Sequence, residues 1–580
     1  MKLESAQIKK LNTLVFSDEL SFVKQGLTLW EILIDHNDIE AFKHQIKLIS
    51  EYSNDIEHSD LSDAYQLKII WQKAPQRHYI SVWNLGISAV FSELELQKLE
   101  DLDLLAFQLP ALPETLSLLQ NLKHLNLEEN YLTELPEELG KLSKLESLNL
   151  CNNHIRSLQA NICLPSLQQI DLSENRLQTF PPFLSRSAQL TTLWLSSNNL
   201  SKLDRSIGSL SALQALYLSE NNLTDLPESF SKLDELKNLD LSQNNFREIP
   251  SSLGLLPSLE TLNLSSNHFE KIDFSENFAA LKILQINYNK NINLQISVES
   301  LANLEELSLR DNHLSSLPTR FSSLQNLLKL DLSQNALGEQ PIEIINDIFK
   351  NIAGLPRLQN LTLCQNKLNA LSPEAFETML KRLSHSKSLV SLSLSNNSLF
   401  YLPNLSSGFQ ALEALTCENN RLGLVAQEIW ESTFEMISRF SSLNRLNLSS
   451  NRLSSIPKTI GNIKTLEQLI LADNLLQTLP TELHQLQHLT VLDLGNNTIA
   501  YQDPEDCVAF FETISSLPKL KQLNLGRNGF SRLTDPFFSQ IFSLLSQNTN
   551  LETLTLQENY LTPERVLQIQ TLFPQTKIQF

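Results

Sequence analysis

Two histidines four residues apart, His484 and His488, are this chain's nearest approach to a metal-binding pattern. On an α-helix this spacing places both imidazoles on one face, where they could bind a metal with a third ligand. The stretch 483–489, however, uses its apolar residues for the core, and no third ligand accompanies the two histidines. The sequence therefore predicts no metal site and no cofactor.

A further histidine, His124, lies close to two acids, Glu128 and Glu129. A histidine beside a carboxylate could act as a general base if a nucleophile or substrate stood within reach. The sequence holds no nucleophile elbow, no phosphate-binding Gly-rich loop and no paired-cysteine metal motif. We interpret these three residues as a solvated charge cluster, and we expect no catalytic residues and no enzymatic activity.

A repeat determines the elements that position these residues. The pattern Leu-x-x-Leu-x-Leu-x-x-Asn, with another apolar residue for one leucine in three copies, occurs eighteen times, from residues 122–130 to the copy that ends at Asn559. Its last two leucines face one side of a short strand, so that neighbouring copies can stack into a parallel sheet over a shared core. The asparagine amide can hydrogen-bond the backbone of its own turn and of the neighbouring copy. We interpret the following residues as a structural asparagine ladder: Asn130, Asn153, Asn175, Asn198, Asn221, Asn244, Asn267, Asn289, Asn312, Asn335, Asn366, Asn397, Asn420, Asn451, Asn474, Asn497, Asn528 and Asn559.

Several copies continue after the asparagine as x-Leu-x-x-Leu-Pro-x-x-Leu-x-x-Leu. Residues 131–142 fit this extension position by position, and residues 221–236 and 474–489 fit it nearly as well. The chain thus resembles the leucine-rich repeat family, in its intracellular and bacterial subtype, over roughly four-fifths of its length. The resemblance implies an α/β solenoid, a horseshoe with a parallel sheet on its concave side. It implies no particular partner, because this scaffold serves many.

The spacing of the asparagines changes after Asn335, where intervals of 31 residues join those of 22 or 23. The eight added residues predict helices, because the segments 372–376 and 503–506 each place a cap, a proline and an acid in helical order. Apolar residues follow at helical spacing, as in Val508, Phe511 and Ile514, and in Ile429, Phe434 and Ile437. This half resembles the ribonuclease-inhibitor-like variety of the family, and its wider repeats should curve more tightly.

The two ends of the chain depart from the repeat. Residues 1–78 lack it and have apolar residues at helical spacing, so we interpret them as a helical N-terminal cap, with a small docking module as the alternative. Residues 79–121 are transitional and contain a degenerate copy with Phe107 in place of the asparagine. The repeat array covers 122–561, and residues 562–580 predict a short C-terminal cap with one helix and one strand.

The charge balance restricts the class of partner. A net charge of −20 disfavours nucleic acid and anionic membranes as partners, because both require basic surfaces. The first residues carry charges where a signal peptide needs an apolar run, and no stretch of ~18 apolar residues could span a membrane. The five scattered cysteines suit a reducing compartment. We predict a cytoplasmic protein without membrane insertion. The sequence leaves open its oligomeric state and its secretion into a host cell without a signal peptide.

Most outward positions of the predicted strands are polar, but two consecutive repeats place Trp194 and Tyr217 between their leucines. Aromatic side chains flanked by hydrogen-bonding groups often anchor interfaces, so we predict a partner-binding site there, bordered by Asp171 and Asp240. A stacked pair half buried by its neighbours is the alternative. A second, weaker patch joins apolar and acidic residues: Ile283, Tyr288, Glu305, Glu306 and Asp311.

These observations predict a non-enzymatic scaffold that recognises a protein or peptide with basic flanks on its concave surface. One alternative is a regulatory subunit that docks through its N-terminal helices. Another is a secreted bacterial effector that binds a host protein. Some effectors with such repeats carry a ubiquitin-ligase domain with a Cys-x-Asp nucleophile, but Cys507 is followed by Val508 and Ala509.

Overall fold

The computed structural model describes residues 99–580 apart from 113, 275–277, 290–292, 297–299, 315, 319, 406–408 and 502. The predicted N-terminal cap, residues 1–78, and residues 79–98 of the transitional segment lie outside the described residues. The chain divides into two compact units, and the boundary falls between His268 and Phe269. We call them unit 1 and unit 2.

Short strands of three residues recur through the described part of unit 1. Each pairs in parallel with the next along the chain, so that Leu193 lies opposite Leu216 and every central apolar side chain faces the core. These leucines are almost completely buried, which accounts for the regular register. The strands are β1 (Asp101–Asp103), β2 (His124–Asn126), β3 (Ser147–Asn149), β4 (Gln169–Asp171), β5 (Thr192–Trp194), β6 (Ala215–Tyr217), β7 (Asn238–Asp240) and β8 (Thr261–Asn263).

Unit 2 repeats the same parallel pairing. Its first and third strands, β9 (Lys271–Phe274) and β11 (Asn293–Ile296), form a separate parallel pair. The remaining strands pair in chain order from β10 onward. They are β10 (Ile283–Gln285), β12 (Glu306–Ser308), β13 (Lys329–Asp331), β14 (Asn360–Thr362), β15 (Ser391–Ser393), β16 (Ala414–Thr416), β17 (Arg445–Asn447), β18 (Gln468–Ile470), β19 (Val491–Asp493), β20 (Gln522–Asn524), β21 (Thr553–Thr555) and β22 (Lys577–Gln579).

The segments between the strands depend on repeat length. Repeats of 22 or 23 residues mostly return through short 3-10 helices, such as Arg205–Ser209 and Glu228–Lys232. Each 31-residue repeat contains an α-helix, as the sequence predicted, and a further helix precedes β22. The helices are α1 (Ile342–Ala353), α2 (Pro373–Ser384), α3 (Gln427–Ile437), α4 (Pro504–Ser515), α5 (Asp535–Leu545) and α6 (Pro563–Leu572). The predicted fold class, an α/β solenoid built on parallel strands, is confirmed.

Two details of the predicted helices are wrong. In α3, Phe434 and Ile437 are buried as predicted, but Ile429 is exposed and the adjacent Trp430 is buried in its place. Helix α4 begins at Pro504 as predicted, but the Asp503 side chain makes no capping hydrogen bond. In α2, by contrast, the Ser372 side chain accepts a hydrogen bond from the Ala375 amide.

The repeated asparagines are buried at all eighteen positions of the ladder. Asn198 is representative: its Nδ2 donates to the Leu172 carbonyl of the preceding repeat at 2.9 Å and to the Leu195 carbonyl of its own repeat at 3.2 Å. Its Oδ1 accepts from the Leu177 amide at 2.9 Å. One side chain therefore satisfies buried backbone groups in two adjacent repeats.

A left-handed residue comes immediately before each asparagine of the ladder. Glu129 and Ser197, for example, have φ values of 57° and 53°. This conformation turns the chain sharply away from the strand, and it costs about 1 kcal/mol for a residue other than glycine. The bonds of the asparagine that follows hold the turn in place.

Candidate functional site

The residue between the two strand leucines follows one rule through most of unit 1. In six of its eight described strands this residue is Asn or Asp, and its Oδ1 accepts a hydrogen bond of 2.8–3.1 Å from the amide two residues later. The bond forms an Asx turn, which fixes the backbone where the strand ends. These six residues are Asp103, Asn126, Asn149, Asp171, Asp240 and Asn263. We call the line of these positions the middle row.

Two consecutive strands break this rule with aromatic residues, Trp194 in β5 and Tyr217 in β6. The two residues are direct neighbours in the strand register, and their rings stack with centroids 5.7 Å apart and planes 6° from parallel. Both side chains are partly exposed. Neither can provide the Asx acceptor, so the amides of Ser196 and Ser219 have none two residues earlier. We call Trp194 and Tyr217 the aromatic pair.

Carboxylates border the aromatic pair on both sides. Asp171 is the register neighbour of Trp194, and Asp240 is the register neighbour of Tyr217. Each Asp accepts an amide at 2.8 Å, from Ser173 or from Ser242. Among the described residues, neither carboxylate has a Lys, Arg or His nitrogen within 4.0 Å. The order Asp, Trp, Tyr, Asp thus occupies four consecutive strands.

The side chains around the aromatic pair are small, as the sequence indicated. Thr192 and Ala215 are opposite each other at the start of β5 and β6. Beyond the rings, the Ser219 hydroxyl donates to the Ser196 hydroxyl at 2.9 Å. The Nε1 of Trp194 and the Oη of Tyr217 make no hydrogen bond to any other described residue. Both polar groups are therefore available to a ligand.

Acids on this face affect the pKa of the Cys151 thiol, which lies in the repeat of β3. Burial, first, and then the nearby carboxylates of Asp171, Glu174 and Glu128 raise its pKa to about 12. All three carboxylates disfavour a second negative charge, the thiolate. Acids of the two repeats that flank Cys151 therefore create a negative potential around this thiol.

The second predicted patch lies in unit 2 and is arranged differently. Ile283 begins β10, whereas Tyr288 lies in the turn after that strand, is 45% exposed and has a φ of 57°. Glu306 in β12 forms an ion pair with Lys329 in β13 at 2.6 Å, and Asp311 lies 3.9 Å from His313. Glu305 is exposed and precedes β12. The apolar residues of this patch are thus at opposite ends of a strand, and two of its acids have partners.

His484, His488 and His124 have different surroundings. His484 lies in a 3-10 helix that ends at Gln485, so it shares no helical face with His488. His488 instead faces Lys519 at 3.4 Å. His124 is exposed and lies 3.9 Å from Asp101. Within the described residues, no three His, Cys, Asp or Glu side chains cluster as metal ligands would.

Comparison with known proteins assigns the repeat to a family. A family model described as leucine rich repeat matches residues 120–177, 188–246, 227–269 and 437–504, and a second leucine rich repeat model matches residues 303–324. The chain is a leucine-rich repeat protein. A solved leucine-rich repeat protein of Leptospira interrogans is 28% identical, covering 84% of this chain and 97% of that one with a TM-score of 0.45. No curated protein matches the chain.

Leucine-rich repeat proteins generally act as scaffolds that bind other proteins, so the family indicates that this chain is a protein-interaction scaffold. In this leucine-rich repeat protein, no helix of the described ranges is both long and apolar enough to cross a membrane. All five cysteines are free thiols, and they range from the exposed Cys163 to the buried Cys417.

Sequence reasoning missed the structural task of the middle row in this leucine-rich repeat protein. The recurrence of Asn and Asp between the leucines was a signal, since both side chains can form an Asx turn. That recurrence would have marked Trp194 and Tyr217 as replacements of structural residues. The ion pair between Lys329 and Glu306 had a fainter signal, namely their spacing of one repeat.

Proposed function

We propose that this leucine-rich repeat protein is a non-enzymatic scaffold in the cytoplasm that recognises a protein or peptide on the outward face of its strands in unit 1. Trp194 and Tyr217 provide the apolar anchor, and Asp171 and Asp240 pair with basic groups of the ligand. The surplus of acids makes a nucleic acid an unsuitable ligand, because it would be repelled.

The observation that carries this proposal is the local replacement of a structural residue. Six strands of unit 1 use the middle row to tie down the backbone, and the two strands that forgo this bond are adjacent. An Asx turn contributes about 1 kcal/mol, and a stacked aromatic pair contributes a similar amount to stability. Stability alone thus gives no reason to place large, partly exposed rings there. Recognition does, because aromatic anchors dominate interface energies.

The test is affinity capture with the full chain, followed by identification of the captured protein and a binding measurement with that protein purified. Replacing Trp194 and Tyr217 by Ala should weaken binding more than tenfold, because a central aromatic anchor contributes about 2 kcal/mol. The thermal midpoint should stay within about 3 °C of the parent, since the rings cover little of the core.

A second variant controls for the lost ring contacts. Trp194→Asn with Tyr217→Asn gives β5 and β6 the middle-row residue of β2, β3 and β8, whose Oδ1 would accept the Ser196 and Ser219 amides. This variant should fold as stably as the parent and bind as weakly as the Ala variant. Binding that is unchanged in both variants would refute the proposed site.

A further inference from the structure

Each ring of the aromatic pair has one outer face, and each outer face lies beside a carboxylate. Because the rings stack on each other, only the outer face of each ring points toward a neighbouring strand. The middle-row residue of that strand is Asp171 on the Trp194 side and Asp240 on the Tyr217 side. We call these two places, each formed by a ring face and a carboxylate, the Trp194 corner and the Tyr217 corner.

The carboxylate in each corner is fixed in position before any ligand arrives. Its Oδ1 accepts the amide of Ser173 or Ser242, which holds the side chain against its own backbone. The second oxygen makes no ion pair with a described residue. An aspartate held this way is shorter than a ring, so the indole and phenol extend farther from the strands than the carboxylates beside them.

A guanidinium group matches the chemistry of such a corner. Its flat face stacks on an aromatic ring, and its N–H groups donate to a carboxylate at the same time. An ammonium group is a compact, strongly hydrated point charge and makes only the second contact well. The negative potential around Cys151 adds long-range attraction for a cation.

The two corners are set apart by a fixed distance. The ring centroids are 5.7 Å apart, and a flat group stacked on each outer face adds about 3.5–4 Å on either side, so guanidinium groups in the two corners are about 13 Å apart. An extended peptide advances about 3.3 Å per residue, so two side chains four residues apart are separated by about 13 Å and point the same way. Arginines five residues apart would point in opposite directions.

We propose that the aromatic pair binds an extended basic peptide with two arginines four residues apart, one in the Trp194 corner and one in the Tyr217 corner. The residue midway between them lies over the ring edges and is apolar. This inference rests on the proposed function and specifies the ligand of the same site.

The experiment uses the full chain and three labelled peptides of equal length and charge, measured by fluorescence anisotropy at low salt. One peptide has Arg residues four apart with Leu midway, the second has the Arg residues five apart, and the third has Lys residues four apart. The first should bind about tenfold more tightly than the other two. Equal affinity for all three, or no binding of the first, would overturn the inference.

Charge variants of the protein complete the test. Asp171→Asn and Asp240→Asn each keep the Asx acceptor and remove the charge. Each substitution should therefore lower the affinity for the first peptide about fivefold. Asp331→Asn is the matched control, because the Asp331 side chain in unit 2 accepts the Ser333 amide at 2.8 Å in the same way. An equal loss in the control would contradict a site at the two corners.

The two proposals can fail separately. If a captured partner depends on Trp194 and Tyr217 while the peptides show no preference for spacing, the arginine pair is wrong and the scaffold function stands. If capture ignores the aromatic residues, the proposed function fails, whatever the peptides do.

Discussion

In unit 1, Asp171 and Asp240 make no ion pairs among the described residues, whereas in unit 2 Glu306 forms an ion pair with Lys329 and Asp311 lies close to His313. Both regions combine aromatic or aliphatic side chains with acids, and their composition alone would rank them together. The difference lies in what the acids already contact. A paired carboxylate must lose its partner before it can bind a cationic ligand, so Asp171 and Asp240 offer their charge without a cost that Glu306 has to meet.

The largest effect should separate the two regions directly. The unit 1 variant is Trp194→Asn with Tyr217→Asn, and the unit 2 variant for comparison is Ile283→Thr with Tyr288→Asn. Thr is the residue at the first position of β5, and Asn tolerates the left-handed conformation of residue 288. The unit 1 variant should lose more than tenfold in affinity for the captured partner, and the unit 2 variant less than about threefold. A comparable loss in the unit 2 variant would show that composition, and not free charge, locates the site.

A smaller effect should appear at Cys151, whose thiol reports the potential of unit 1. The raised pKa comes from burial and from three carboxylates, so Asp171→Asn should lower the pKa and increase the thiolate fraction at pH 8.5. Alkylation of Cys151 by iodoacetamide should become about two- to threefold faster, followed by mass spectrometry of the Cys151 peptide. Asp331→Asn in unit 2 should leave the rate as it was. An unchanged alkylation rate in Asp171→Asn would show that the Asp171 carboxylate does not affect the pKa of Cys151.

The smallest effect concerns Asp493 in β19 of unit 2, which lies between two strand leucines as the middle-row residues of unit 1 do. Burial, and to a smaller extent Asp473, raises the pKa of its carboxyl, although the Oδ1 accepts the Gly495 amide at 2.9 Å. A carboxyl with a raised pKa in the folded state favours folding below its unfolded pKa and loses that contribution as pH rises through the folded pKa. Asp493→Asn keeps the acceptor, so it should increase stability at pH 7 by about 0.5 kcal/mol.

Urea denaturation at pH 7 and at pH 3.5 checks this prediction. The gain should nearly vanish at the lower pH, where the carboxyl of the parent is mostly protonated. A variant that is less stable than the parent at pH 7 would show that the charge of Asp493 favours folding, contrary to this prediction.

The sequence predicted most of the fold because the repeat carries its own register. The leucines determine which side of each strand is buried, and a change of eight residues in the interval predicts an α-helix. It also predicted that Trp194 and Tyr217 are neighbours, since a fixed interval places equal positions side by side. Errors arose where local geometry decides: Trp430 replaces Ile429 in the core of α3, and the Asp503 side chain does not cap α4.

The environment of the candidate site was harder to predict, because it depends on contacts between repeats. Only a faint signal in the sequence, a lysine one repeat after Glu306, distinguishes that paired glutamate from Asp240, which has no ion-pair partner among the described residues. Pairing depends on which residue lies at the matching position of the next strand and on how far each side chain reaches. The same holds for Cys151, whose pKa reflects acids from the repeats on both sides of its own.

The middle row also bears on how such a protein can change over evolutionary time. The bond shared by its Asn and Asp residues is a local one to a backbone amide, while the buried leucines and the ladder asparagines hold the repeats together. Trp194 and Tyr217 show that two adjacent positions can lose that bond without disturbing the strand register. New specificities can therefore arise one substitution at a time along this row, and a library varied there would explore recognition while the folding of the chain is left intact.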